Sequence, residues 1–286
     1  MKVMKMTYLI TGANGQLGQD FGIIFNQLNE AIILRDLDLD ITDLPELRKF
    51  VKQEKLKCII NCAAYNNVDE AETEWKKAFN INGIGTRNLV LIANELDIKF
   101  VHYSTDYVFD GEKGNPYFLI DPTNPISKYG ESKLLGEKYV TQLGKKFFLI
   151  RTSWVFGKGN INFVRKVLDW SKKNIELKIV TDQISCPTYT KDLAMATIDL
   201  IKTNAYGCYH ITNSSFCSRY EWAKYILEKI GWEGKLNKGL SEDFNTKAKR
   251  PKFSVLSNFG LEETIGYELP DWKDATNRFL IELGEI

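Results

Sequence analysis

A chain of 286 residues, 44% hydrophobic and 26% charged, has the make-up of an ordinary globular protein and the length for one large α/β domain, or a main domain with a smaller lobe. Its 38 basic and 37 acidic side chains leave a net charge of +1, which argues against a nucleic-acid partner but not against a small anionic ligand held locally. Five cysteines without a C-x-x-C pair and only two histidines offer no metal-ligand spacing and read as reduced thiols in a cytoplasm, and no apolar run approaches the roughly 20 residues that cross a bilayer.

The segment MKVMKMTYLIT carries two lysines before a short apolar run, as a secretory leader does, but it runs straight into a glycine turn and reads as the first strand. Residues 8–18, YLITGANGQLG, then give strand, tight turn and helix, the context in which a glycine fingerprint has meaning. Gly12 supplies the turn, Gly15 lets backbone approach a pyrophosphate, and Gly18 lets the helix pack close to the strand. The free N–H groups at that helix start would hold phosphate charge. The helix runs through about Leu28, a strand follows at residues 31–34, and Asp43 with Pro45 and Glu46 starts a helix reaching about Glu54. Residues 57–61 read as a buried strand, 69–96 as helical, 100–104 as a strand, 127–143 as a helix and 147–151 as a further strand. This alternation predicts a doubly wound parallel sheet, a Rossmann-type α/β fold. After about Thr152 the pattern loosens into helices at 162–172, 191–202, 218–230 and 271–283, the third opened by a Ser218/Glu221 capping box. The expected organisation is a dinucleotide-binding domain over residues 1–150, completed by elements from about 178–205, and a mainly substrate-binding, irregular lobe over 151–286.

In such sheets ligands lie at the carboxyl ends of strands. Past the second strand come Arg35, Asp36, Asp38 and Asp40; an acid there binds the adenosine ribose, whereas arginine favours a 2′-phosphate, and Arg35 in first place points toward NADPH. Past the third strand, Ala63 and Ala64 within NCAAYNNVDEAE allow a flat cofactor to lie on the backbone. Past the fourth, Ser104 and Thr105 open STDYVFDG. On the next helix Tyr129 and Lys133, spaced i and i+4, share one face; a cation beside a phenol favours its ionised form and brings it into range for proton exchange.

Together TGANGQLG, NCAAY, STDYVFDG and Y-x-x-x-K resemble the extended short-chain dehydrogenase/reductase superfamily. Further segments (AFNINGIGTRNLV, SKYGESKLLGE, RTSWVFG, DQISCPTYTKDLA and RPKFSVLSN) narrow the resemblance to the dTDP-4-dehydrorhamnose reductase family over nearly the whole chain. The resemblance implies NADPH- or NADH-dependent reduction of the 4-keto group of a dTDP-4-keto-6-deoxy-L-sugar to dTDP-L-rhamnose, by a cytoplasmic homodimer. It makes Tyr129 the proton donor, Lys133 its pKa-lowering partner and ribose contact, and Thr105 a donor to the sugar carbonyl. Ser104 and Trp154 match the sugar site. Gly15, Gln16, Leu17, Asp40, Ile41, Ala64, Tyr65 and Asn66 match cofactor-contacting positions, with Gly12, Asn14, Gly18, Arg35 and Ala63 beside them. Two departures stand out: Arg35–Asp36 where many relatives begin with an acid, and Ser185 at a usual glycine position. Spacing leaves any Mg²⁺ dependence open. Two other readings stay open as well: another nucleotide-sugar epimerase or reductase of the superfamily, and a non-catalytic subunit like the methionine adenosyltransferase β-type subunit, which would need no proton donor.

Overall fold

Successive side chains of a strand point to opposite faces, and here both faces are apolar, so each strand must be covered twice. The computed structural model describes residues 6–159 and 162–286; residues 1–5, part of the segment read as the first strand, lie outside them. In chain order the first half comprises β1 (Thr7–Thr11), α1 (Gln16–Gln27), β2 (Ile32–Arg35), α2 (Leu44–Val51), β3 (Leu56–Asn61), α3 (Trp75–Phe79), α4 (Thr86–Glu95), β4 (Lys99–Thr105), α5 (Lys128–Leu143) and β5 (Phe147–Thr152). The second half comprises β6 (Val155–Phe156), α6 (Phe163–Lys173), β7 (Glu176–Val180), β8 (Ile184–Ser185), β9 (Thr188–Tyr189), α7 (Thr190–Thr203), β10 (Gly207–His210), β11 (Cys217–Ser218), α8 (Arg219–Lys229), β12 (Lys235–Gly239), α9 (Leu261–Ile265) and α10 (Trp272–Leu283).

Six strands form one parallel sheet in the order β10-β5-β4-β3-β1-β2. Ile10 of β1 and Val101 of β4 pack with Phe21 and Phe25 of α1 and with Leu193 and Leu200 of α7 on one face. Leu9 and Phe100 pack with Leu47 of α2, Leu89 of α4 and Val140 of α5 on the other. The chain leaves β1 for β2 on one side and returns for β3 on the other, so the switch point, where such sheets bind ligands, lies between the ends of β1 and β3. A second core, built on Trp222, Phe156, Phe279 and Trp272, joins α6, α8 and α10 beside the sheet. No helix among the described residues is long and apolar enough to cross a membrane.

One feature differs from the sequence expectation and another adds detail to it. No strand is expected after Arg151, yet β10 extends the sheet beside β5 and several two-residue strands stitch the second lobe. The region 69–96 is helical as expected, but not uniformly α: it comprises a 3-10 turn at Glu70–Glu72, then α3, a π-helical turn at Asn80–Gly85 and α4 in succession. The cause is local. The Asn82 side chain turns to the Tyr65 backbone, accepting its N–H at 2.9 Å and donating to its carbonyl at 3.0 Å, and it also donates to Ser132 at 2.9 Å. A widened turn accommodates this, and such turns recur at functional sites.

Candidate active site

The glycine turn leaves no room for side chains at Gly12 and Gly18. Gly12 has φ of +65°, and a Cβ there would sit 2.5 Å from the Ala63 backbone nitrogen. A Cβ on Gly18 would sit 2.5 Å from the Gly12 carbonyl and 2.6 Å from Ala13 Cα. Side chains at these positions would fill the space between β1, β3 and α1. Gly15 is the N-cap of α1 and has no side chain to satisfy the first turn, so that helix start presents N–H groups and the positive dipole end to the crevice. These features fit a dinucleotide pyrophosphate.

Two connected compartments open from this turn. One, of about 560 Å³, is lined by Asn14, Asp36, Asp40, Ile41 and Ala63, with Gly12, Gly15, Cys62, Ala64 and Asn66 shared between the two. The other, of about 350 Å³, runs past Gln16, Leu17 and Gly18 to Ser104, Thr105, Tyr129, Lys133 and Trp154. Most sequence-expected site residues therefore meet in one cleft. Two do not line it. Tyr65 packs against Ala71, Ala78 and Tyr129 behind the wall. Arg35 turns away, its guanidinium 3.5 Å from Asp38 and 5.1 Å from the Phe50 ring centre. Asp36 instead faces the crevice and accepts the Asn14 N–H at 3.2 Å. Gln16 lines the cleft but also accepts from the Gly157 N–H at 2.9 Å and from Asn162 at 2.8 Å, tying α1 to the second lobe.

The reactive wall is built by β4 and α5. Ser127 caps α5 by accepting the Gly130 N–H, and Gly130 and Gly136 admit close approach, since a Cβ would meet the Tyr107 carbonyl at 2.3 Å or the Asn82 carbonyl at 2.4 Å. Tyr129 and Lys133 thus face the cleft beside the end of β4. The Lys133 ammonium donates to the Tyr103 carbonyl at 2.5 Å, and burial lowers its pKa to about 8. The Tyr129 phenol sits edge-on to Tyr107 at 5.6 Å. Its pKa is raised, chiefly by burial, with Thr105 acting to lower it and the Asp106 charge to raise it. In this setting desolvation outweighs the Thr105 hydrogen bond, because a buried charge loses more hydration than one neutral donor returns.

Several cleft groups, some within the motifs and some outside them, carry unmet or strained chemistry. The Ser104 and Thr152 hydroxyls are buried without a hydrogen-bond partner, a costly state unless a ligand completes it. Thr152 ends β5, so the strand-end rule could have flagged it. Trp154 adopts φ of +44°, an uncommon conformation for a bulky residue and the kind of strain found at binding sites. Its ring stacks 5.8 Å from Trp222. The Arg219 guanidinium lies 3.6 Å from the Trp154 ring centre and 4.7 Å from Phe163, pairs with no carboxylate among the described residues, and is lowered by burial to about 10. Arg219 also borders an adjoining cavity of about 440 Å³ lined by Phe163, Trp170, Phe244 and Arg250. Nothing in the sequence around Arg219 announces this position.

Comparison with known proteins agrees with this geometry. The chain is 40% identical over 275 residues to the spore coat polysaccharide biosynthesis protein SpsK of Bacillus subtilis, covering 96% of each chain. It is 36% identical to a dTDP-4-dehydrorhamnose reductase of Burkholderia thailandensis, covering 94% of this chain and 96% of that one. Among solved structures, a dTDP-4-dehydrorhamnose reductase of Bacillus anthracis in complex with NADP superposes with a TM-score of 0.94 at 38% identity, covering 98% of this chain and 100% of that one. The model of the RmlD substrate binding domain matches residues 6–284, and the chain therefore belongs to that family.

Proposed function

We propose that the protein is an NAD(P)H-dependent oxidoreductase that reduces the 4-keto group of a dTDP-linked 4-keto-6-deoxy-L-sugar, yielding dTDP-L-rhamnose for cell-surface polysaccharide. The observation that carries this reading is that Thr105, Tyr129 and Lys133 share one cleft with the glycine turn. The names of the Burkholderia thailandensis and Bacillus anthracis relatives support the reaction, and the NADP of the latter supports the cofactor. The name of the Bacillus subtilis relative supports the polysaccharide destination.

When bound, the nicotinamide supplies the hydride for carbon 4. The chain's own residues do the rest. Tyr129, kept protonated by its buried setting, gives its phenolic proton to the alkoxide oxygen as charge develops there. Lys133 holds positive charge one helical turn away, fixed by the Tyr103 carbonyl, and Ser104 and Thr105 offer hydroxyls to the sugar. Gly12, Gly15, Gln16, Leu17 and Gly18 would cradle the pyrophosphate, while Asn14, Asp36, Asp40, Ile41, Ala63, Ala64 and Asn66 would line the adenosine end. Trp154 and Arg219 would clamp the sugar diphosphate, and the adjoining aromatic cavity would take the thymine base. The enzyme is read as a cytoplasmic homodimer; the five free cysteines support the compartment, and the family resemblance supports the dimer.

The test is direct. Purified protein supplied with the dTDP keto sugar should oxidise NADPH or NADH and release dTDP-L-rhamnose, identified by mass and sugar analysis. No oxidation with either cofactor, together with NAD retained through purification, would favour an epimerase instead, because a reductase must exchange its cofactor every cycle.

A further inference from the structure

Asp106, the residue after Thr105, is 2% exposed and forms no ion pair among the described residues. Its carboxylate is held by three hydroxyls alone. Oδ1 accepts from Thr105 Oγ1 at 3.1 Å and Oδ2 accepts from Ser254 at 2.5 Å, while Ser185 Oγ lies 3.2 Å from Oδ2 and also 3.2 Å from the Ser254 carbonyl, either of which can take its proton. A buried carboxylate met only by neutral donors is expensive to keep, and burial accordingly pushes this carboxyl up to about 6. The two serines arrive from separate segments, β8 and the strap that follows Arg250, and both converge on the one oxygen that Thr105 leaves free. A hydroxyl has a single proton to give. The proton that Thr105 gives Asp106 is therefore the one the sugar oxygen would need.

We propose that Asp106 is a positioning residue for the reduction: it holds the Thr105 hydroxyl in the resting cleft, and Ser254 and Ser185 keep its carboxylate satisfied when that hydroxyl turns to the sugar oxygen. The inference rests on the reductase reading. It also gives Ser185 a task, as a second donor to Oδ2 at a position where a glycine would offer none. The competing role for Asp106 is a plain tether between the end of β4 and the strap carrying Ser254. A tether would affect melting, sugar affinity and cofactor affinity together and would be indifferent to Thr105. A positioning group would change the chemical step alone, and only while Thr105 is present.

The experiment compares wild type, Asp106→Asn, Thr105→Ala, the double variant and Ser185→Ala in steady-state turnover of the dTDP keto sugar with NADPH, alongside thermal melts and fluorescence titration of NADPH. Asp106→Asn should lower kcat by about 10- to 100-fold, the scale of a misplaced catalytic group, while KM for the sugar and Kd for NADPH stay within about twofold. The double variant should be no slower than Thr105→Ala within about twofold, because both changes remove one function. Ser185→Ala should lose about two- to fivefold in kcat, as expected for one of two donors to the same oxygen. Equal kcat for wild type and Asp106→Asn would overturn the proposal, and so would losses that multiply in the double variant. If Asp106→Asn does not fold, Ser185→Ala carries the test: its loss should vanish in the Thr105→Ala background, and a loss that persists there overturns the proposal. A wild type that turns over no keto sugar overturns the reductase reading itself, and with it this role; an active wild type with an equally fast Asp106→Asn overturns only the role.

Discussion

Replacing Lys133 by methionine separates the cost of burying its charge from the use made of it. The side chain is 3% exposed and donates to the Tyr103 carbonyl at 2.5 Å, and Glu137, the carboxylate that favours its charge, is itself held by Arg151 at 2.7 Å. Burial lowers the Lys133 pKa from its ordinary 10.5 to about 8, which at about 1.36 kcal/mol per pH unit is a destabilisation of about 3 kcal/mol while the group stays charged. Methionine removes that cost but leaves the Tyr103 carbonyl without its donor, returning about 1–3 kcal/mol. The variant should therefore match or exceed wild-type stability at pH 7, by up to about 2 kcal/mol. The pH dependence has a definite sign. Below pH 8 both folded and unfolded lysine are protonated and the cost is full; between about 8 and 10.5 the unfolded chain binds more protons, so wild-type stability rises with pH. The advantage of Lys133→Met should shrink by about 3 kcal/mol across that window, while its turnover falls by at least about 100-fold at every pH. Urea unfolding of both proteins at pH 7 and pH 10, with turnover measured on the same samples, reads all of this. A variant weaker than wild type by more than about 2 kcal/mol at pH 7, or a stability gap independent of pH, would refute the reasoning.

Other consequences can be checked with the same protein. Gly18→Ala must move backbone, since its Cβ would meet the Gly12 carbonyl at 2.5 Å; it should lose about 1–3 kcal/mol in stability and weaken NADPH binding in a fluorescence titration. Arg219→Met removes a guanidinium that pairs with no carboxylate among the described residues and should raise KM for the dTDP sugar by about 10- to 100-fold, the worth of a charge-assisted contact, with Kd for NADPH unchanged. Asp36→Ala removes the carboxylate facing the crevice and should raise the NADPH-to-NADH ratio of kcat/KM by about tenfold, because a 2′-phosphate is repelled by an acid at that strand end; an unchanged ratio would show that Asp36 does not meet the ribose.

The sheet and the site centre were legible because their signals are short-range and redundant. Both faces of β1, β3 and β4 are apolar, the turn at Gly12 requires glycine, and Tyr129 and Lys133 declare themselves by helical spacing. What stayed hidden depends on distant packing. β10 is four residues long at the sheet edge with only His210 fully buried, too little for a strand pattern. Arg35 ends β2, and whether Arg35 or Asp36 meets the crevice turns on one residue of strand register. The split of residues 69–96 follows from Asn82 reaching the Tyr65 backbone, a contact that periodicity cannot express. Arg219 is the first residue of a helix in the other lobe, and only the fold lays it against Trp154.

The most direct measurement compares wild type with Tyr129→Phe in NADPH oxidation driven by the dTDP keto sugar, with NADPH binding titrated in parallel. The phenol is the only group assigned to deliver the proton, so turnover should fall by at least about 1000-fold while Kd for NADPH changes by less than about twofold. Near-normal turnover in the phenylalanine variant would contradict the account at its centre.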